Sequence, residues 1–210
     1  MTDLPRTMDA SPVLDILKQA VPAAALEELP AGDMPTVAVD RRHLVAVCEA
    51  LRDRAELQFA LLADVTVLDR LPAEPRFDVV YHLACIGEAY AQSGGAAPAR
   101  RLRLKVRVPA DDRTLPSVTS VWATAGWLER EVFDMFGLRF EGHDDLRRIL
   151  MPDDWEGHPL LKDYPVQIRK DAVLTSPLQM SPEEFAANVR ARLELGKSDH
   201  VGGQDDSGHD

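Results

Sequence analysis

The sequence predicts an α+β fold: a mixed, largely antiparallel sheet covered by helices, followed by an extended C-terminal arm. Three observations predict it. Two helical apolar stripes come first, and strand-like runs cluster after them. A further helical stripe ends near Phe136. Beyond Phe140 the periodicity is lost, and Pro and Gly recur every few residues.

Ser11 and Pro12 read as N-cap and first helical residue, with Val13, Leu14, Ile16, Leu17 and Val21 on one apolar face. Pro22 and Pro30 bracket its end, so residues 1–34 are expected to form an N-terminal helix and linker. An α+β core domain should span residues 35–140. TVAV (36–39) is a short strand, and Asp40 caps a second helix with Leu44, Val47, Cys48 and Leu51 inside. In LQFALLADVTVLD, Phe59, Leu61, Ala63, Val65 and Val67 alternate with their neighbours, and FDVVYHLACI is another strand. RRLRLKVRVP is the clearest strand. Leu102, Leu104, Val106 and Val108 face one way, Arg101, Arg103, Lys105 and Arg107 the other. That cationic row has two readings, the wet face of an antiparallel sheet or a basic surface for an acidic partner, and the sequence alone does not separate them.

Leu128, Val132, Met135 and Phe136 form the stripe of a third helix, which Gly137 can end; Gly126 would set a short turn apart from it. Arg130 and Asp134, four apart, are spaced to pair. Residues 141–171 read as an extended docking arm. Residues 172–210 read as a variable helix and a disordered polar tail. The capping box SPEE starts that helix at Ser181, with Phe185, Val189 and Leu193 on one stripe.

Composition bounds the function. With 210 residues, 45% of them apolar, the chain can bury a core; its net charge of −11 argues against a nucleic-acid binder. Cys48 and Cys85 are too far apart for a disulfide framework or a zinc spacing, and read as small buried hydrophobes in a reducing compartment. No run approaches a membrane span, and MTDLPRTMDA lacks a signal-peptide apolar region, so a soluble chain is expected. No Gly-rich phosphate loop follows a strand. His143, Asp144, Asp145, Asp153, Asp154, His158 and Asp163 could suggest a metal-dependent hydrolase, but they fit no H-E-x-x-H or facing E-x-x-H pattern. Arg147, Arg148 or Lys162 lies near each acid, so salt bridges pinning an irregular arm are the simpler account. An arm carrying Trp155, Tyr164, Arg147 and Arg148 cannot build its own core and must lie against something. Leu146, Ile149 and Leu150 are expected to hold part of it on its own domain.

The run WLEREVFDMFGLRFEGHDDLRRILMPDDWEGHPLLKDYP resembles the signature of the C subunit, or 30-kDa subunit family, of bacterial proton-translocating NADH:quinone oxidoreductase (respiratory complex I, NDH-1). The resemblance rests on Glu129, Arg130 and Glu131, on Asp134 with Met135 and Phe136, and on His143, Arg147, Ile149 and Leu150. Asp154 to Pro159 (DWEGHP) and Lys162 to Pro165 (KDYP) complete it, and ADVTVLD, RFDVVYHL, RLRLKVRVP and PSVTSVW match upstream, so it covers roughly residues 35 to 170. Leu161 stands where the family usually has Arg. The resemblance implies a non-catalytic peripheral-arm subunit with no cofactor or metal of its own. FMN and the iron–sulfur clusters would lie in partner subunits. It implies contact with the D subunit, beside the quinone site, and with the cluster-bearing B subunit, on the cytoplasmic side of the inner membrane. The interface residues it implies are Glu129, Arg130, Glu131, Asp134, Phe136, His143, Arg147, Arg148, Asp154, Trp155, His158, Lys162, Asp163 and Tyr164. The related subunit of a plastoquinone-reducing or hydrogenase-type complex is the alternative.

Overall fold

Strand β5 (Arg100–Val108) sits at the centre of a five-stranded sheet, and its alternation organises the rest. The structure, a computed structural model, describes residues 11–30, 33–86 and 100–165. The chain divides into two compact units, Met1–Tyr164 and Pro165–Asp210; the second lies outside the described residues beyond Pro165, and with it the expected helix at Ser181.

The sheet order is β1-β2-β5-β4-β3, with β1 Leu26–Leu29, β2 Thr36–Val39, β3 Leu61–Asp69 and β4 Phe77–Cys85. Within it only the β2–β5 pair is parallel; β1–β2, β3–β4 and β4–β5 are antiparallel. The mixed, largely antiparallel sheet expected from the sequence is therefore present. On one face the register aligns Phe77, Val79, Tyr81 and Leu83 with Val108, Val106, Leu104 and Leu102. All eight are buried. Helices α1 (Ser11–Ala20), α2 (Leu44–Asp53) and α3 (Ala125–Phe136) contribute Leu17, Leu44, Leu51, Val132 and Phe136 to the same core. Asp40 caps the start of the second helical segment, accepting from the Arg42 N–H at 2.9 Å, but its first turn is a 3-10 turn, Arg41–His43.

The other face supports the wet-sheet reading of the cationic row. Arg103 pairs with Asp33 at 3.0 Å, Lys105 lies 3.6 Å from Asp78, and Arg107 lies 3.7 Å from Glu27. These cations meet carboxylates within the fold.

Three local expectations are corrected. LEEL (26–29), placed in the linker, is the edge strand β1, so the sheet starts before residue 35. Its two adjacent glutamates hide the alternation, and an edge strand tolerates them. In β3 the register shifts between Leu62 and Asp64, a bulge that buries Leu62 and leaves Leu61 and Ala63 exposed. Gly126 lies inside α3 rather than ahead of it. A second, two-stranded parallel sheet, β6 (Thr114–Pro116) with β7 (Arg139–Glu141), was too short to show as a pattern. Gly137 does end α3, in the left-handed region at φ 75°.

Candidate docking interface

The third helix ends against the arm, and two of its carboxylates face inward for different reasons. Glu129 is fully buried. It accepts from Ser117 Oγ at 2.6 Å and from the Val118 N–H at 2.8 Å, tying α3 to the turn after β6. Burial raises its pKa, against the opposing pull of those two donors and of His143. Its charge in turn helps hold up the pKa of the buried Tyr81 phenol and Cys48 thiol, both raised chiefly by desolvation.

Asp134, also fully buried, is the anchor of the arm. Its Oδ2 accepts from three successive backbone N–H groups, Ile149 at 3.0 Å, Leu150 at 2.8 Å and Met151 at 2.8 Å. Its Oδ1 takes Arg148 Nη1 at 2.6 Å. Burial alone would raise this carboxyl's pKa, but the amides and Arg148 outweigh it and hold the value below the usual range. The second arm of the Arg148 fork donates to the carbonyls of Trp155 at 2.7 Å and Gly157 at 2.9 Å. One guanidinium thus gathers helix and loop, a task suited to a planar multi-donor group.

The surrounding motif residues complete this wrap. Arg130 donates to the carbonyls of Arg147 and Arg148 at 3.2 and 2.8 Å, and stacks over the Trp127 ring. The expected Arg130–Asp134 pair is therefore replaced: the buried Asp134 takes the half-buried Arg148. His143 Nδ1 accepts from the Asp145 N–H at 3.1 Å, which leaves the proton on Nε2 to be donated to the Gly126 carbonyl at 3.0 Å. His158 donates from Nδ1 to the Asp134 carbonyl at 2.9 Å and meets Phe133 edge to face. Its ring lies so close over Gly137 that a Cβ there would sit 2.6 Å from it. The Leu160 N–H donates to the Met135 carbonyl at 3.0 Å.

A second anchor lies on the β3–β4 hairpin. Arg76, nearly buried, forks onto Asp69 (3.0 and 2.7 Å) and onto Asp163 of the arm (3.0 and 2.6 Å). It holds the carboxyls of both acids below their ordinary range. Asp69 also accepts from the Lys162 N–H at 2.9 Å. Tyr164 donates to the Glu156 carbonyl at 2.9 Å and lies over Gly157, whose φ of 76° and missing Cβ admit the ring.

The expected site residues thus separate by direction. Glu129, Asp134 and Phe136 are buried, and Arg130, His143, Arg148, His158 and Tyr164 are half-buried with partners inside the chain. Glu131, Arg147, Asp154, Lys162 and Asp163 are exposed, Arg147 pairing with Asp145 at 2.9 Å and Trp155 lying half-buried in the loop. Leu146 packs against the core, whereas Leu150, expected to anchor the arm, is 60% exposed because its backbone rather than its side chain is held. Sequence reasoning missed Asp69 and Arg76. Their signal was available: the two close the hairpin from opposite strands, where Asp69 pairs with Phe77 in register. Among the described residues no group of three or more His, Cys, Asp or Glu could hold a metal, and no helix is long and apolar enough to cross a membrane.

Residues 37–170 match the family described as respiratory-chain NADH dehydrogenase, 30 Kd subunit. Relatives named as the C subunit of NADH-quinone oxidoreductase align with most of the chain. The protein of Geobacter sulfurreducens is 45% identical over 152 residues, 72% of this chain and 86% of its own length. That of Roseiflexus sp. is 43% identical over 160 residues, 76% of this chain and 86% of its own. That of Geotalea uraniireducens is 46% identical over 132 residues, 63% of this chain and 73% of its own. A solved structure described as Nqo5 of the trypsin-resistant fragment (1-134) in P63 form is 32% identical, covers 65% of this chain and 98% of that one, and has a TM-score of 0.46.

Proposed function

Because the chain belongs to the respiratory-chain NADH dehydrogenase 30 Kd subunit family, we propose that it is a non-catalytic peripheral subunit of proton-translocating NADH:quinone oxidoreductase. In this reading it supports electron transfer from NADH through FMN and iron–sulfur clusters held by other subunits to quinone, coupled to proton translocation. Its neighbours are the D and B subunits, and it reaches the inner membrane, on the cytoplasmic side, only through the complex.

One observation carries the reading: the family match, residues 37–170, takes in most of the sheet and the arm, and in the arm the motif's charges are spent on backbone groups. Asp134 collects three amides, Arg148 two carbonyls and Arg130 two more. A catalytic constellation would aim such groups at one empty point. Here they shape a segment without periodicity into a fixed surface, as a docking element requires.

The test is recovery of the complex. A tagged chain expressed in cells lacking their own copy should co-purify with flavin-bearing, cluster-bearing and quinone-site subunits, and should restore NADH:quinone reductase activity to membranes. Recovery of a complex without the flavin-binding NADH subunits would transfer the protein to the plastoquinone-reducing or hydrogenase-type assemblies. Full activity in cells without the chain would overturn the proposal.

A further inference from the structure

The wrap around α3 leaves three large apolar side chains exposed. Trp127 on α3 is 64% exposed, and Leu150 and Leu160 on the arm are 60% and 55% exposed. These three are tied to one another through the fold. Arg130 stacks on Trp127 and holds the carbonyls of residues 147 and 148. Leu150 is bound by its N–H to Asp134, and Leu160 by its N–H to Met135, the next residue of the helix. An exposed Trp and two exposed leucines on held backbone are the composition of an interface centre rather than of ordinary surface.

Exposed carboxylates outnumber cations around it; Arg130, over Trp127, and the exposed Lys162 are the basic exceptions. Glu131 lies one helical turn beyond Trp127. Asp144 follows His143, whose ring is bonded to Gly126; Asp153 and Glu156 lie in the loop gathered by Arg148. All four are exposed, and none has an ion-pair partner among the described residues. The arginines that could neutralise them, Arg130 and Arg148, are turned inward onto carbonyls and Asp134, and Arg147 is cancelled by Asp145.

We propose that these residues make one outward face, an apolar centre with an acidic rim, and that it seats a protein segment of a neighbouring subunit that offers an apolar centre flanked by Lys or Arg side chains. Rim charge of this kind selects the partner and its register, while the apolar centre holds it. The inference rests on the subunit reading above and specifies which face docks and what it docks against.

The experiment uses the full tagged chain in cells lacking their own copy. The rim variant is E131K/D144K/D153K/E156K; the control is E49K/E56K/D64K/D111K, four exposed acids elsewhere in the fold. A third form carries benzoylphenylalanine in place of Leu150. The isolated rim variant should melt within about 2 °C of wild type, since exposed substitutions cost little. Recovery of the other subunits should fall at least about tenfold for the rim variant, from lost complementarity, and stay at the wild-type level for the control. Photo-crosslinks from position 150 should land beside Lys or Arg in another subunit. Equal recovery of rim variant and control overturns the inference. So do crosslinks to an acidic segment, to a second copy of this chain, or to its own residues 166–210. If the rim variant fails to fold, the crosslink site alone decides. If the wild-type chain recovers no subunit at all, the subunit reading itself falls.

Discussion

Replacing Asp134 with Ala should free the arm. The carboxylate is fully buried and accepts from three amides and from Arg148, which is itself only 15% exposed. Hydrogen bonds to a charged group contribute about 1.5–3 kcal/mol each, and breaking one side of a buried ion pair costs about 3–5 kcal/mol. These do not add, because residues 149–151 can lift away and let water satisfy their amides. The loss is then capped at the free energy that holds this part of the arm down, so about 3–5 kcal/mol is expected. Hydrogen exchange reads it directly. Amide protection at Ile149, Leu150 and Met151 should fall by a factor of about a hundred to several thousand. Protection in β4 and β5 should change far less. Asp134→Asn keeps an acceptor and loses the charge, so its effect should be smaller, about 1.5–3 kcal/mol. An Asp134→Ala loss below about 1 kcal/mol, the value of an exposed pair, would refute the anchor.

Arg147→Glu, at a solvent-exposed pair with Asp145, should change the melting temperature of the isolated chain by under about 2 °C, whereas Arg148→Glu should lower it by about 6 °C or more; equal effects would show that Arg148 does not hold the buried Asp134 as described. Two buried carboxyls should give opposite pH signatures. Asp134, depressed, stabilises above its unfolded value of about 3.9 and loses that as pH falls through its folded pKa. Glu129, raised, favours the fold in its protonated form below about 4.3 and loses that as pH rises through its folded pKa. Glu129→Gln should therefore gain on wild type in urea midpoint as pH rises from about 4 to about 8, and parallel curves would count against a raised pKa. Tyr81→Phe should be neutral or stabilising by up to about 1 kcal/mol, because the buried hydroxyl has no hydrogen-bond partner among the described residues. A loss above about 1 kcal/mol would reveal a partner for it.

Elements with a strong local signal were legible in the sequence. The alternation of residues 101–108 located β5 and both its faces, and the stripe from Leu128 to Phe136 with Gly137 located α3 and its end. What escaped depends on contacts distant along the chain. LEEL is a strand because β2 pairs with it, not because its pattern says so. The bulge in β3 moves burial from Leu61 to Leu62, which a strict two-residue alternation cannot register. The site was legible as a set of residues but not as directions. The sequence marked Arg130, Asp134, Arg147 and Arg148 together, and local helix spacing proposed Arg130 with Asp134. The structure pairs Asp134 with Arg148, fourteen positions away, because a fully buried carboxylate needs a partner that leaves water with it.

The direction of these bonds explains how an aperiodic arm can be specified at all. Side chains facing side chains would leave the backbone of residues 143–164 to satisfy itself, which outside helix and strand it does only in part, through turn bonds such as Trp155 N–H to Pro152 and Tyr164 N–H to Leu161. Here the polar side chains serve the backbone instead. Asp134 covers the amides of 149, 150 and 151, and Arg130 covers the carbonyls of 147 and 148. Arg148 covers the carbonyls of 155 and 157, Tyr164 covers that of 156, and Asp69 covers the amide of 162. Each bond fixes main-chain position while leaving the attached side chain free to point elsewhere. That is why Leu150 can be rigidly placed and still exposed, and why the motif's polar residues are close-set. A surface made this way holds its shape before any partner arrives, so the ordering cost is met within the chain and less of the binding free energy is lost to it on association.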